Sequence, residues 1–430
     1  MVPATVLRQV ARQFVLLIFR GAGMAFKFAL SLYMVRYVGL ADLGFYGLLS
    51  GAATAMPAIV GFGLTPWIMR HLVHLPRSQA IGGLLTRLSL SLLIQLIVQP
   101  MIWVGDYAMG EPIPLRWAPL IATILVLESL AAEVCLMLTA RRHIRLSETL
   151  LFIRTSLWPV PVIVVGLLMP AMRTIEFLME CWIAGLVLAW LIIIWNVLLH
   201  QRWRHLQWHW RWLADGARES VPLYIHDLNL SIGLYLDRFV ISLFLGLELT
   251  GVYTFFWSVG NMVHSLTIFG MLMPQIANLV DMGRRGGAEF KRIVRRLQWE
   301  TAMWATILAT GAIAVIVVML PYLNRPLLGN HLDVFVGIML ATFLRIASDG
   351  YGNVLYALRR DDAIAMTSTA GTAMSGVLNL VLVPVAGVRG AAVAFVVTAA
   401  LQLGLRHHLA RTTHPGKTVA HRRPAPSLQS

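Results

Sequence analysis

The stretch GLADLGFYGLL, residues 39–49, has a counterpart in GLELTGVYTFF, residues 246–256. Glycine, leucine, glycine and tyrosine recur at the same positions of the two stretches. A second pair follows in the same order, with LTARRH ending at His143 and YALRRD ending at Asp361. Two pairs of similar stretches that occur in the same order indicate an internal duplication, so we expect two halves with the same fold.

The rest of the chain is too apolar for a soluble protein, since 58% of its 430 residues are hydrophobic and only 13% are charged. Short polar breaks separate windows of about twenty apolar residues, each long enough to cross a bilayer as a helix. No break is long enough for a folded soluble domain. The sequence therefore predicts an all-α polytopic membrane protein with about twelve spans, at residues 13–35, 44–69, 80–104, 116–139, 149–169, 175–199, 220–245, 250–275, 298–320, 333–357, 363–385 and 389–409.

The basic residues predict the topology. Lysine and arginine concentrate in the N-terminal segment, the even-numbered breaks and the C-terminal tail, so both termini are expected in the cytosol. Gly39 and Gly246 then both lie at outer breaks, which gives the two halves the same orientation as parallel repeats. We expect one six-helix bundle in residues 1–199, a cytosolic amphipathic linker in 200–219, a second bundle in 220–410 and a disordered basic tail in 411–430. The outer breaks hold few basic residues: Arg36, Arg116, Arg173, Arg325 and Arg389.

The linker mixes tryptophan with arginine, a combination that can bind nucleic acid. At the end of a span, however, these residues are typical of the cytosolic headgroup level. We therefore expect contact with membrane lipids and no nucleic-acid partner. Both cysteines, Cys135 and Cys181, lie in apolar spans, so neither a disulfide nor a metal site is indicated.

Two cations lie deep in the first span. Arg20 and Lys27 are each about eight residues from the nearer end of that span, roughly 12 Å of helix and beyond comfortable snorkelling reach. They fall on nearly the same face of a helix. Span one contains no acidic residue, so their neutralising group must be another helix, a bound anion or water. Charges at this depth are costly and therefore predict a functional cavity.

Other intramembrane charges have structural alternatives. Arg345 lies near the middle of span ten, but Asp349 follows one turn later, where an ion pair is an ordinary explanation. Arg154 and Arg87 are close enough to the cytosolic ends of their spans to snorkel. The sequence leaves both readings open for Arg345 and favours snorkelling for Arg154 and Arg87.

Span seven is unusually polar, with His226, Asp227, Asn229, Asp237 and Arg238, and should face the protein interior. His226 or Asp227 could carry a coupling proton, whereas Asp237 and Arg238 could instead pair with groups at the outer end.

Span four holds two carboxyl groups, Glu128 and Glu133, which differ by about 140° around the helix and cannot share one site. Each could be a protonated carboxyl group bonded to a neighbouring helix. No catalytic motif accompanies any of these residues: the sequence lacks a Gly-rich phosphate loop and a His-Glu-x-x-His pattern. We therefore expect no enzyme activity, no cofactor and no metal.

Three stretches carry a family resemblance: YLDRFVISLFLGLELTGVYTFFWSVGNM from Tyr235, RYVGLADLGFYGLL from Arg36, and VLNLVLVPVAGVRGAAVAF from Val377. They resemble the polysaccharide flippases of the multidrug, oligosaccharidyl-lipid and polysaccharide (MOP) exporter superfamily, which include O-antigen flippases. The resemblance implies two six-helix bundles around a central cavity with alternating access. It also implies a polyprenyl-diphosphate-linked oligosaccharide as cargo, serving lipopolysaccharide, capsule or exopolysaccharide synthesis in the bacterial cytoplasmic membrane, possible partners being other polysaccharide assembly proteins.

Cavity cations of such flippases are thought to engage the diphosphate or acidic sugars. The resemblance therefore implies a cationic site formed by Arg20, Lys27, Arg154, Arg238 and Arg345. Candidates for ion coupling are His226, Asp227, Asp237, Glu128 and Asp349.

Two alternatives stay open. An ion-coupled multidrug antiporter of the related MATE branch would share the twelve-span duplicated plan, but cationic drugs favour an acidic cavity and the charges of span one are purely basic. A membrane-embedded glycan polymerase or ligase would resemble other members of its class in having a large outer loop, which this sequence lacks.

Overall fold

The computed structural model describes residues 21–64, 77–108, 113–198, 233–285 and 287–412, together with 220, 224, 227–229 and 231. Helices dominate this part of the chain, which contains no strand. The long helices are α1 (21–33), α2 (Leu40–Ile59), α3 (Arg77–Ala108), α4 (Ala118–Ala140), α5 (Ile144–Leu168), α6 (Ile175–Ile193), α7 (Leu236–Thr267), α8 (Met273–Arg285), α9 (Gly287–Leu323), α10 (Leu332–Ala357), α11 (Asp361–Ala386) and α12 (Val388–Thr412).

Every predicted span contains one of these helices, so the all-α class is confirmed. By length and composition, eight helical segments of the described residues could cross a membrane, and one of them runs through predicted spans seven and eight. Their outer faces carry exposed aliphatic side chains, such as Leu96 and Ile97 on α3 and Val318 on α9. Such surfaces suit contact with lipid acyl chains.

The described chain forms two compact units. The first unit comprises Met1–Ser258 with Pro321–Leu328, and the second comprises Val259–Leu320 with Gly329–Ser430. In the first unit α4 packs against α2, α3, α5 and α6, and in the second α12 packs against α10 and α11. The predicted linker 200–219 and nearly all of the predicted tail lie outside the described residues, and the predicted bundle boundaries at 199 and 220 stay predictions.

The duplicated stretches meet in the first unit, where α2 and α7 cross closely. A Cβ atom on Gly44 would collide with the carbonyl oxygen of Leu247, and one on Gly251 would collide with the carbonyl oxygen of Leu40. Gly44 and Gly251 occupy the same position of the two stretches, and so do Leu40 and Leu247. A twofold axis between parallel repeats produces this reciprocal contact, because equivalent residues meet at the axis. The contact therefore supports the predicted duplication.

The second pair of similar stretches also has matching backbone structure, but the structural alignment is shifted by one residue from the sequence alignment. Arg142 follows α4 and Arg359 follows α10, and both have left-handed backbones with φ of 63° and 57°. After each, an amide donates to a carbonyl five residues back, from His143 to Leu138 and from Arg360 to Leu355. This is the hydrogen-bond pattern of a Schellman motif. LTARRH therefore matches LYALRR, where the sequence alone had aligned it with YALRRD.

The predicted span at 220–245 is interrupted within its bounds, because a turn at residues 234–235 precedes α7. α7 itself bends at Gly246, at the predicted break between spans seven and eight, where φ is 81° and ψ is 176°. Glycine adopts this backbone conformation more readily than other residues. The two breaks leave Asp237 and Arg238 on a short helical segment, the kind of interrupted helix that lines binding sites in membrane transporters.

Candidate functional site

Lys27 is exposed on α1, and among the described residues its ammonium group has no hydrogen-bond or ion-pair partner. The only bond at this residue is to its backbone, where the carbonyl accepts from the Ser31 hydroxyl at 3.1 Å. One turn earlier on α1, Gly23 packs so tightly that a Cβ atom there would lie 2.6 Å from the Ser156 hydroxyl of α5. Lys27 is within electrostatic range of Glu128 and Arg154. Glu128 on α4 is therefore the nearby carboxyl group from another helix, but it makes no ion pair with Lys27 among the described residues.

Glu128 is shared, because its carboxylate Oε1 also accepts from Arg154 Nη1. Both residues are 8% exposed. Arg154 lies in a π turn of α5, Ile153–Leu157, directly before Trp158 and Pro159. Pro159 has no N–H and cannot complete a regular helical turn there, and π turns often occur at functional sites. The expected snorkelling of Arg154 is wrong, since its guanidinium turns inward to Glu128.

Three aromatic side chains, which we call the aromatic wall, pack against one another beside this pair: Trp158, Trp182 and Tyr46. The rings of Trp158 and Trp182 stack with centroids 5.0 Å apart, and Tyr46 meets both edge-on at 6.0 and 6.1 Å. Both indole N–H groups are buried; that of Trp182 lies at the Glu128 carboxyl group, whereas that of Trp158 has no partner among the described residues. Buried polar groups are nearly always hydrogen-bonded, so the Trp158 indole indicates room for water or a ligand.

Arg238 adds a second cation beside the aromatic wall. It is 2% exposed, its guanidinium carbon lies 3.8 Å from the ring centre of Trp257 and 4.8 Å from that of Tyr235, and Nε and Nη2 have no hydrogen-bond partner in the described chain. Stacking on two rings stabilises a guanidinium by cation–π attraction. The preceding residue, Asp237, accepts from the Tyr253 hydroxyl at 2.7 Å and from the Arg238 amide at 2.8 Å.

Tyr46 joins these groups into one site in the first unit, because it contacts Trp158 and Trp182 and lies within electrostatic range of Tyr235 and Arg238. Tyr46 and Tyr253 are the tyrosines repeated in the duplicated stretches. We call this set the cationic–aromatic cluster: Lys27, Glu128, Arg154, Trp158, Trp182, Tyr46, Tyr235, Asp237, Arg238 and Trp257. Within it, only Lys27 is both exposed and unbonded.

Arg87 and Glu133 form a separate, buried ion pair. Arg87 Nη2 donates to Glu133 Oε1 at 3.0 Å and to the Gly61 carbonyl at 3.0 Å, and the Ser91 hydroxyl donates to the same carboxylate oxygen at 2.7 Å. Arg87 is 2% exposed, so the expected snorkelling is wrong. Glu133 is thus bonded to a neighbouring helix, as expected, and Glu128 is bonded to Arg154 in the same way. The protonation expected of both groups stays a prediction.

The second unit contains a network that the sequence did not predict. Asp349 on α10 accepts from Arg406 Nη1 on α12 at 2.8 Å and bonds to His264 Nε2 on α7 at 2.8 Å. The predicted partner Arg345 has no ion pair or hydrogen bond in the described part of the unit, although its charge reaches both His264 and Asp349. Arg406 lies close to the predicted cytosolic end of span twelve, where an arginine is unremarkable in sequence, and His264 lies in predicted span eight, which contains no Asp, Glu, Lys or Arg.

Three predicted site residues are not placed in either cluster. Arg20 and His226 lie outside the described residues. Asp227 is half-buried in a short described helical segment, residues 227–229. The structure therefore brings together Lys27, Glu128, Arg154, Asp237 and Arg238 in the first unit, and Arg345 with Asp349 in the second.

No protein-family model matches the sequence, and no curated protein is similar to it. Solved structures share its fold. Lipid II flippase MurJ in an inward closed conformation matches with a TM-score of 0.71 at 11% identity, over 93% of this chain and 88% of that chain. An inward-facing multidrug resistance MATE family transporter of the MOP superfamily matches with a TM-score of 0.64 at 16% identity, over 90% of this chain and 94% of that chain.

The chain has the fold of these two solved structures. The predicted class of a twelve-helix, two-lobe membrane protein is thereby confirmed. A MOP superfamily transporter from Pyrococcus furiosus, described by a reverse polarity of its binding pocket that suggests a different function, also matches, with a TM-score of 0.54 at 15% identity over 92% and 93% of the two chains. At these identities the likeness establishes the fold alone, so the cargo has to be argued from the site.

Proposed function

We propose that this protein is a flippase that moves a polyprenyl-diphosphate-linked oligosaccharide across the cytoplasmic membrane by alternating access. The observation that carries the proposal is Lys27, an exposed ammonium without a partner among the described residues, which the sequence predicts to lie deep in the first span. Such a charge is costly unless it faces a cavity or a partner. An anionic cargo supplies that partner.

The neighbours of Lys27 suit a diphosphate with sugars attached. Arg154 and Arg238 add positive charge, and Arg238 has unused N–H groups that can bind phosphate oxygens. One phosphate charge about 4 Å from a cation gains roughly 4 kcal/mol at an effective dielectric constant near 20, before desolvation is subtracted. The prenyl chain would stay in lipid while the polar head crosses.

The charge distribution supports the orientation that the proposal needs, with both termini in the cytosol. In this role the protein would act in a bacterial inner membrane beside other polysaccharide assembly proteins. The repeat unit would come from an O-antigen, capsule or exopolysaccharide.

Depletion of the protein tests the proposal. Lipids would be extracted from depleted cells, and sugars on the outer membrane face would be labelled with an impermeant reagent. We expect an intact lipid-linked repeat unit to accumulate on the inner face. Unchanged surface glycan without accumulation would contradict the proposal.

An ion-coupled multidrug antiporter is the second candidate. The observation in its favour is the fold itself, because MATE transporters match over nine-tenths of both chains. Increased drug susceptibility in depleted cells, with normal surface glycan, would support this candidate. A glycan polymerase or ligase has less support, because the structural neighbours named above are transporters or flippases.

A further inference from the structure

The five outer arginines fall into two groups. Arg116 pairs with Glu176 at 3.1 Å, and Arg389 pairs with Asp333 at 2.5 Å. The other three have no carboxylate partner among the residues that the structure describes: Arg36, Arg173 and Arg325. Unpaired arginines are unexpected on the outer side, because basic residues normally concentrate on the cytosolic side.

These three arginines converge at the end of α1, within the first unit. The guanidinium carbon of Arg173 lies 4.6 Å from the ring centre of Tyr37, and that of Arg36 lies 6.0 Å from the same ring. Arg325, in the segment Pro321–Leu328 of this unit, donates from Nε to the carbonyl oxygen of Val35 at 2.9 Å. Three positive charges therefore share one small region, which we call the outer arginine site.

Backbone contacts orient the three guanidinium groups without neutralising them. Arg173 donates from Nε to the Gly166 carbonyl at 2.8 Å, and Arg36 donates from Nη1 to the Tyr322 carbonyl. A guanidinium has five N–H donors, so most donors of each arginine stay available. All three side chains are only half-buried and can meet a ligand from outside. Side chains held in place beforehand lose less entropy when they bind.

A buried hydroxyl next to this site also lacks a partner. Tyr33 is 5% exposed, and its phenolic oxygen makes no hydrogen bond within the described chain. Its ring lies 5.5 Å from that of Tyr37, and Arg173 is within electrostatic range. A Cβ atom on Gly166 would collide with this oxygen, so glycine leaves the space that the hydroxyl occupies. The hydroxyl can donate to an anion held by the arginines.

We infer that Arg36, Arg173 and Arg325, with Tyr33, bind the phosphate group of a lipid at the outer membrane surface. Arginine forks match phosphate geometry and bind it through charge-assisted hydrogen bonds. The inference rests on the proposed function and orientation, since a translocated polyprenyl diphosphate places its phosphates at this level. The site receives the cargo after transport. An anionic phospholipid offers the same chemistry and is the other possible source.

Native mass spectrometry of the full-length protein in detergent tests the inference. The probes are a short-chain polyprenyl diphosphate and phosphatidylglycerol, titrated separately. All variants carry Lys27→Gln, which lowers the contribution of the cationic–aromatic cluster equally in every variant. The test variant adds Arg36→Gln, Arg173→Gln and Arg325→Gln, and the matched control adds Arg116→Gln, an outer arginine that already has a carboxylate partner.

We expect the triple substitution to weaken binding of the diphosphate probe about tenfold or more, and the control to change it less than about twofold. Tyr37→Leu keeps all three backbone contacts of the arginines and removes only the ring that two of the guanidinium groups approach. This variant should therefore fold normally, and it should weaken binding of the diphosphate probe about threefold. Equal binding by the triple and control variants would overturn the inference. Loss of phosphatidylglycerol binding alone would overturn its assignment to the cargo.

The two proposals can fail separately. The mass spectra report binding at the outer arginine site whether or not the protein flips a glycan. The depletion experiment reports flipping whether or not this site exists. Normal binding by the outer site in a protein that does not affect glycan export would contradict the proposed function and leave a phospholipid site.

Discussion

At the scale of single residues, Lys27 differs from the ion-paired charges buried in the first unit. Arg87 with Glu133, and Arg154 with Glu128, are buried ion pairs. Lys27 makes no such pair in the described chain. A side chain that contributes no structural bond can be replaced with little effect on folding, which makes Lys27 the most informative position.

Lys27→Gln should abolish export of the glycan while the protein level in the membrane stays normal, because the substitution removes an unbonded charge that the cargo needs. Surface glycan in depleted cells complemented with the variant measures the effect. Lys291→Gln is the matched control, since Lys291 is an exposed lysine on α9 at the predicted cytosolic surface. Normal export by a variant that carries both Lys27→Gln and Arg20→Gln would contradict a cargo-binding role for the two cations predicted in span one.

The Arg87–Glu133 pair should behave as a structural element. Arg87→Met leaves a buried carboxylate unpaired and should cost about 3–5 kcal/mol of unfolding free energy. Adding Glu133→Leu removes that charge and should restore most of the stability. Thermal unfolding in detergent measures both effects. Export should follow protein level in both variants, and loss of export in a stable double variant would assign the pair a functional role.

Residue count alone predicts the depth of a charge in its span, and that depth stays a prediction, whereas the sequence could not predict the partner of a charge. Lys27 was identified because its distance from both helix ends follows from residue count alone. The partners of Arg154, Arg87 and Asp349 depend on which faces of separate helices meet, and that is set by packing between distant segments. His264 and Arg406 were missed for the same reason.

At the scale of secondary structure elements, the contact between α2 and α7 depends on glycine. The two backbones approach so closely at Gly44 and Gly251 that neither position has space for a Cβ atom. Close approach through small residues is a common means of helix association in membranes. The echo in the sequence indicated the duplication, but the contact between the two copies is visible only in the structure.

Gly44→Ala should push α2 away from α7 and lower stability by about 1–3 kcal/mol, as overpacking does. Gly311→Ala is the matched control: Gly311 lies within α9 and a Cβ atom there would meet nothing within 4 Å. There alanine should be neutral or stabilising, because glycine is a weaker helix former. Fluorescence-detected size exclusion after heating compares the two. Equal thermal stability of both variants would show that the crossing tolerates a side chain.

At the scale of the whole molecule, composition and charge distribution were enough to predict a twelve-span fold, because both follow from the cost of placing polar groups in lipid. The cargo is determined by fewer residues than the fold. It depends on a few cations and aromatic rings that the MOP fold brings together, and the same fold occurs in multidrug transporters and in a lipid II flippase. The cationic–aromatic cluster is what favours an anionic cargo over a cationic drug.

Reconstitution of the purified protein in liposomes tests this central claim most directly. Liposomes would contain a polyprenyl-diphosphate-linked oligosaccharide, and a membrane-impermeant sugar-modifying reagent would measure its movement between leaflets. The account predicts movement with the wild-type protein and with Lys291→Gln, and its loss with Lys27→Gln. No movement with a folded wild-type protein, or equal movement with Lys27→Gln, would contradict it.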